Sequence, residues 1–130
     1  MLEITALDHI QLAMPKGEEA AARRFYGGLL GLVEVDKPKP LAATGGCWFV
    51  GNGDAGGNNI AVHLGILSPF VPSTKGHPAF RVKDLEAAKR TFADADISIT
   101  PDERLPNVRR FYVNDPFGNR IEILQDGDRY

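Results

Sequence analysis

The strongest constraint on this chain is that it is written twice. His9, in the run Leu7-Asp8-His9-Ile10-Gln11-Leu12, and His77, in Gly76-His77-Pro78-Ala79-Phe80-Arg81-Val82, each open a strand-like stretch that leads into an amphipathic helix. Each half closes on a strand carrying a ligand-type residue, His63 in Ile60-Ala61-Val62-His63-Leu64 and Glu122 in Arg120-Ile121-Glu122-Ile123-Leu124. Histidines and a carboxylate on four strand ends are the donor types that a divalent metal takes.

The local patterns support the repeat. From Leu7 to Met14 the residues alternate, with Ile10, Leu12 and Met14 on one strand face and His9, Gln11 and Ala13 on the other. Pro15-Lys16-Gly17 ends that strand, Glu18 and Glu19 suit the positive end of a helix, and Ala21, Phe25 and Leu29 give the helix its apolar stripe before Gly31 closes it. Residues 32–35 and 47–50 read as strands, 38–40 as a loop and 51–59 as a turn; 60–66 alternates again, with His63 opposite Val62 and Leu64. A phosphate-cradling role for the glycines at 51–57 is weak, because a strand rather than a helix follows them.

The second half matches. Phe80 and Val82 form an apolar strand face, Asp84 can cap a helix, and Leu85, Ala88 and Phe92 are its buried stripe. Residues 108–113 place Arg110 and Tyr112 on one strand face, and the turn Asp115-Pro116-Phe117-Gly118-Asn119 leads to a strand whose Glu122 shares its face with Arg120 and Leu124. The order is strand, helix, three strands, repeated.

Bulk properties narrow the function classes. At 130 residues and 43% hydrophobic, the chain has the composition of one soluble domain, 1–130, with modules at about 1–67 and 76–126. A net charge of −2, with scattered Lys and Arg, argues against a nucleic-acid surface, and no apolar stretch approaches the roughly 20 residues of a membrane span. A small-molecule partner and a cytoplasmic setting are the expectations. Cys47 stands alone beside Trp48 and Phe49 and reads as a buried apolar residue rather than a reactive thiol.

Four stretches then carry a family resemblance: Asp8-His9-Ile10; Phe25-Tyr26-Gly27-Gly28-Leu29-Leu30-Gly31-Leu32; His77-Pro78-Ala79-Phe80-Arg81-Val82-Lys83-Asp84-Leu85; and Phe111-Tyr112-Val113-Asn114-Asp115-Pro116-Phe117-Gly118-Asn119-Arg120-Ile121-Glu122. In order and spacing the chain resembles the vicinal oxygen chelate superfamily, which includes glyoxalase I, bleomycin-resistance, fosfomycin-resistance and extradiol dioxygenase proteins. The resemblance implies an α+β fold of paired βαβββ modules forming a curved mixed sheet around a cleft, commonly in a homodimer. It also implies a divalent metal, whether zinc, nickel, manganese, cobalt or iron, held by His9, His77 and Glu122.

Around that set, His63 is a candidate fourth ligand, general base or pocket wall, and Glu122 a candidate catalytic carboxylate. Gln11, Trp48, Arg110 and Tyr112 are candidate substrate contacts. Arg110 suits either an anionic substrate group or the charge of Glu122 itself, and strand parity leaves Trp48 and Phe49 both open as pocket walls. The first functional expectation is a glyoxalase-like metal-dependent lyase or isomerase acting on a small oxygenated or thiol-adduct substrate. The alternatives are a fosfomycin-resistance-like transferase, an extradiol-type dioxygenase and a metal-free bleomycin-resistance-like binding protein. Glyoxalase I proteins usually carry a second glutamate where this chain has His63, a departure that touches the proton-transfer step.

Overall fold

The computed structural model describes residues 1–53 and 59–130. They form two compact units, Met1–Val71 and Pro72–Tyr130. Each contains a four-stranded mixed sheet and helix, so the fold is α+β. No helix among the described residues is long and apolar enough to cross a membrane.

In the first unit β1 (Ile10–Met14), β2 (Val33–Val35), β3 (Cys47–Val50) and β4 (Ala61–Ile66) lie in the order β1-β4-β3-β2. β1 runs parallel to β4 and the other pairs are antiparallel. Alternation fixes which face is buried: Leu12, Met14, Phe49, Val62 and Leu64 turn inward, and Tyr26 stacks on Phe49 with centroids 5.7 Å apart. Each fully buried aliphatic or aromatic side chain of this kind stabilises by about 1.5–3 kcal/mol. Gln11, Trp48 and His63 are left on the opposite face.

Three local expectations are corrected here. β1 starts at Ile10, not Leu7, so His9 precedes the strand, and Leu7 is 78% exposed. The first helix, α1 (Glu19–Ala22), continues as a π-helical segment over Arg23–Leu29, with Leu30 N–H donating to the Phe25 carbonyl at 2.9 Å. The adjacent Gly27 and Gly28 resist a tight α-helical turn, and the wider turn rotates the buried stripe from Ala21, Phe25 and Leu29 to Ala22, Phe25 and Tyr26. Lys39–Thr44 forms a 3-10 helix instead of a loop, begun by the Leu41 N–H bond to the Pro38 carbonyl and favoured by the fixed φ of Pro40. The expected turn at 51–59 falls largely on residues 54–58, outside the described residues.

The second unit repeats the arrangement. β5 (Ala79–Val82), β6 (Thr100–Pro101), β7 (Arg110–Asn114) and β8 (Arg120–Gln125) lie in the order β5-β8-β7-β6, with β5 parallel to β8. Asp84 caps α2 (Leu85–Asp94) by accepting from Ala87 N–H, and Phe92 meets Phe111 edge-on. Phe111, Val113, Ile121 and Ile123 are buried, while Arg110, Tyr112, Arg120 and Glu122 share the other face.

The two registers correspond residue for residue. Gln11 and Trp48 flank His63 in the first unit; Ala79 and Tyr112 flank Glu122 in the second. His9 and His77 each lie two residues before the flanking position on their own strand.

Candidate functional site

In the first unit the polar face is a stack of rings. His63 lies between Trp48, at 3.8 Å and nearly parallel, and His9, at 4.1 Å. This decides the parity left open between Trp48 and Phe49: Trp48 lies against His63, and Phe49 belongs to the core. Burial, and then the neighbouring His9, lower the His63 pKa, although Asp8 opposes the shift. His63 is therefore held as a neutral imidazole able to accept a proton. Gln11 reaches across β4 where Gly65 leaves room; a Cβ there would lie 2.6 Å from Gln11 Nε2.

His9 is anchored from the other side, its Nδ1 lying 2.6 Å from Asp8 Oδ1. A carboxylate at Nδ1 calls for the proton on that nitrogen and leaves the Nε2 lone pair outward, the usual disposition of a metal-ligating histidine. Cys47 fits its apolar reading: it is buried, and burial followed by Glu34 pushes its thiol up to about 11.

In the second unit the face carries a ladder of charge. Glu122, 5% exposed, uses its two oxygens differently: Oε1 accepts from Arg110 Nη1 at 3.0 Å, and Oε2 lies 2.9 Å from His77 Nε2. The other amino group of Arg110 reaches Asp102 Oδ2 at 2.9 Å, and Asp102 is gripped in turn by Arg104. Desolvation works against the Arg110 charge, but its hydrogen bond to Glu122, with Tyr112 and Asp102, raises its pKa nonetheless. The Arg104 guanidinium and backbone hold Asp102 far below the usual carboxylate range. Tyr112 stands edge-on to His77 at 5.4 Å and lies under Arg120 at 5.0 Å.

Arg110, suited either to an anionic substrate group or to the charge of Glu122, thus has both terminal amino groups engaged by carboxylates. Its outer partner, Asp102, carried no sequence signal as a site residue; the only hint was that a guanidinium on a half-buried strand face needs counter-charge. Asp8 had a clearer signal, a carboxylate beside a candidate ligand histidine.

The donor chemistry at His77 fits a cation. Its Nδ1 lies 2.8 Å from the Lys75 carbonyl and its Nε2 faces the Glu122 carboxylate, so both ring nitrogens meet oxygen acceptors. The 2.9 Å contact is of hydrogen-bond length, and an imidazole beside a carboxylate is a donor pair that could hold a divalent cation. Among the described residues no group of three His, Cys, Asp or Glu side chains is gathered to hold a metal ion. Of the expected set of His9, His77 and Glu122, the structure brings His77 and Glu122 together.

Comparison with known proteins follows the same lines. A family model described as the glyoxalase/bleomycin resistance protein/dioxygenase superfamily matches residues 6–123. A solved protein from Bacillus anthracis, described as of the glyoxalase family, is 39% identical, with 99% of each chain covered and a TM-score of 0.88. The fosfomycin resistance protein FosX from Listeria monocytogenes is 13% identical, with 95% of this chain and 94% of that one covered and a TM-score of 0.72. A lactoylglutathione lyase from Agrobacterium tumefaciens is 19% identical, with 95% of each chain covered and a TM-score of 0.70. At the last two identities the likeness is one of fold. No curated protein matches the chain.

Proposed function

The chain belongs to the glyoxalase/bleomycin resistance protein/dioxygenase superfamily, and on that premise we propose a metal-dependent lyase or isomerase of the glyoxalase type, acting on a small oxygenated or thiol-adduct substrate. The observation that carries this reading is the His77–Glu122 pair, whose histidine is anchored through Nδ1 and whose carboxylate turns one oxygen to Nε2. In this proposal His77 and Glu122 hold the cation and His9 is the further ligand. Two histidines and one carboxylate leave coordination positions for a chelating substrate.

Bound there, a divalent cation supplies Lewis acidity to chelated substrate oxygens. The chain's own residues do the rest. His63, neutral and held between two rings, accepts the substrate proton, in place of the glutamate usual in glyoxalase I. Gln11 orients a substrate oxygen, and Trp48 and Tyr112 provide apolar walls. We propose further that the two units act as one domain and that the protein is a homodimer.

The test is elemental analysis of protein purified without chelator, followed by turnover of thiol adducts such as glutathione hemithioacetals. Near-stoichiometric divalent metal is expected, lost in His77→Ala and Glu122→Gln together with activity. Protein that holds no metal and takes up none on titration would sink the proposal. Turnover of epoxides with thiol instead would shift it to a transferase, and oxygen uptake with catechols to a dioxygenase.

One observation favours a second reading. Arg110 and His77 already meet both oxygens of Glu122, so the carboxylate is satisfied without a metal, as a metal-free binding protein would require. Ligand binding undiminished in the triple variant His9→Ala, His77→Ala, Glu122→Gln would select that reading.

A further inference from the structure

We propose that Arg110 acts as a brake on cation binding at Glu122, a positioning residue that occupies Oε1, and that Asp102 moderates the brake by drawing off part of the Arg110 charge that Glu122 feels. The inference rests on the metal reading above and says how tightly the chain holds its cation. The residues form one chain of contacts within the second unit: Arg104 to Asp102, Asp102 to Arg110 at 2.9 Å, Arg110 to Glu122 at 3.0 Å, Glu122 to His77 at 2.9 Å.

The first consequence is geometric. With Oε1 taken by Arg110, Glu122 presents Oε2 alone beside His77, so a cation meets one carboxylate oxygen rather than two. The second is electrostatic. The Arg110 side chain is 11% exposed and its positive charge sits within hydrogen-bond reach of the very carboxylate that would bind the metal. In so little solvent its repulsion of a divalent ion is weakly screened. The guanidinium does in the metal-free protein what the cation does in the loaded one, and the two compete for Glu122.

Stability gives no better reason for Arg110. Burying a guanidinium is costly, and its Nε is buried with no hydrogen-bond partner among the described residues. Buried ion pairs are often no more stabilising than apolar side chains of similar size. A residue that costs stability and sits on the candidate ligand carboxylate is better explained by what it does to that ligand.

The brake has a signature that a merely structural role lacks: the two residues shift affinity in opposite directions. Arg110→Met removes the competing charge and frees Oε1, while Asp102 keeps its bonds to Arg104. Asp102→Asn leaves Arg110 with one carboxylate partner, so more of its charge falls on Glu122. Cobalt(II) titration of chelator-treated full-length protein, followed by absorbance and calorimetry, reads both. Arg110→Met is expected to bind cobalt at least tenfold more tightly than the wild type, and Asp102→Asn at least threefold more weakly. In the double variant the Asp102 effect should vanish, since it acts through Arg110.

Affinity unchanged or weakened in Arg110→Met, with the wild type binding cobalt, overturns the brake and leaves the metal reading standing. Cobalt uptake by neither protein overturns both. Should Arg110→Met fail to fold, Asp102→Asn decides alone: equal or tighter binding overturns the proposal.

Discussion

His63 is the residue whose surroundings do most to set its chemistry. Trp48 covers one ring face and His9 the other, and stacked aromatic pairs of this kind contribute about 0.5–1.5 kcal/mol each beyond the area they bury. Because burial and His9 depress its pKa in the folded protein, its contribution to stability is present above the unfolded value of about 6.5 and is lost as pH falls through the lower folded value. NMR of the imidazole resonances should place the His63 midpoint below that of a free histidine, and His63→Phe should lose this part of the acid sensitivity while keeping the stack. A midpoint above the free value would contradict the assignment. If His63 is the proton acceptor, the same variant retains metal but loses turnover by a factor of about 100 or more, the usual range for a general base; unchanged turnover removes the role.

At the scale of the element, β3 owes its register to Gly46. The residue has φ +78°, and a Cβ added to it would fall 2.0 Å from the Leu64 carbonyl oxygen, while its N–H donates to Glu19 Oε1. Gly46→Ala must push β3 off β4 or strain the backbone, at a cost of about 1–3 kcal/mol. Because Trp48 pairs with His63 two residues further on, the change should lower the melting temperature and also disturb the ring stack, visible as altered Trp48 fluorescence. A variant that melts with the wild type and keeps its emission would show that the strand is not held this way. The order of elements and the faces of β4 and β7 were legible in the sequence because period-two alternation is strict there. The π-helical turn at Gly27-Gly28 and the 3-10 helix after Pro38 were not, since both are settled by backbone hydrogen bonds that side-chain spacing does not record. Glu122 stood out as a carboxylate between Ile121 and Ile123, whereas Asp102 lies beside a two-residue strand that has no period to read.

For the whole molecule, the duplicated plan puts different chemistry at one register position. His63 and Glu122 occupy matching places, yet in the first unit the position is wrapped in rings and in the second it is wrapped in charge. If the second unit holds a cation as proposed, stability responds to metal. A ligand that binds only the folded chain stabilises it by about 2.7 kcal/mol at a hundredfold excess over Kd, a rise of roughly 10 °C in melting temperature for a chain of this size. Zinc or cobalt at that excess should therefore raise the Tm of the wild type and leave Glu122→Gln and His77→Ala near their metal-free values. Acid should erode the fold separately: as pH falls below the ordinary carboxylate range, the stability carried by Asp102, Asp128 and Glu19, all of lowered pKa in the fold, is lost. Calorimetry across pH 3 to 8 without metal reads this loss. A metal-induced rise that survives unchanged in His77→Ala would place the cation on other groups.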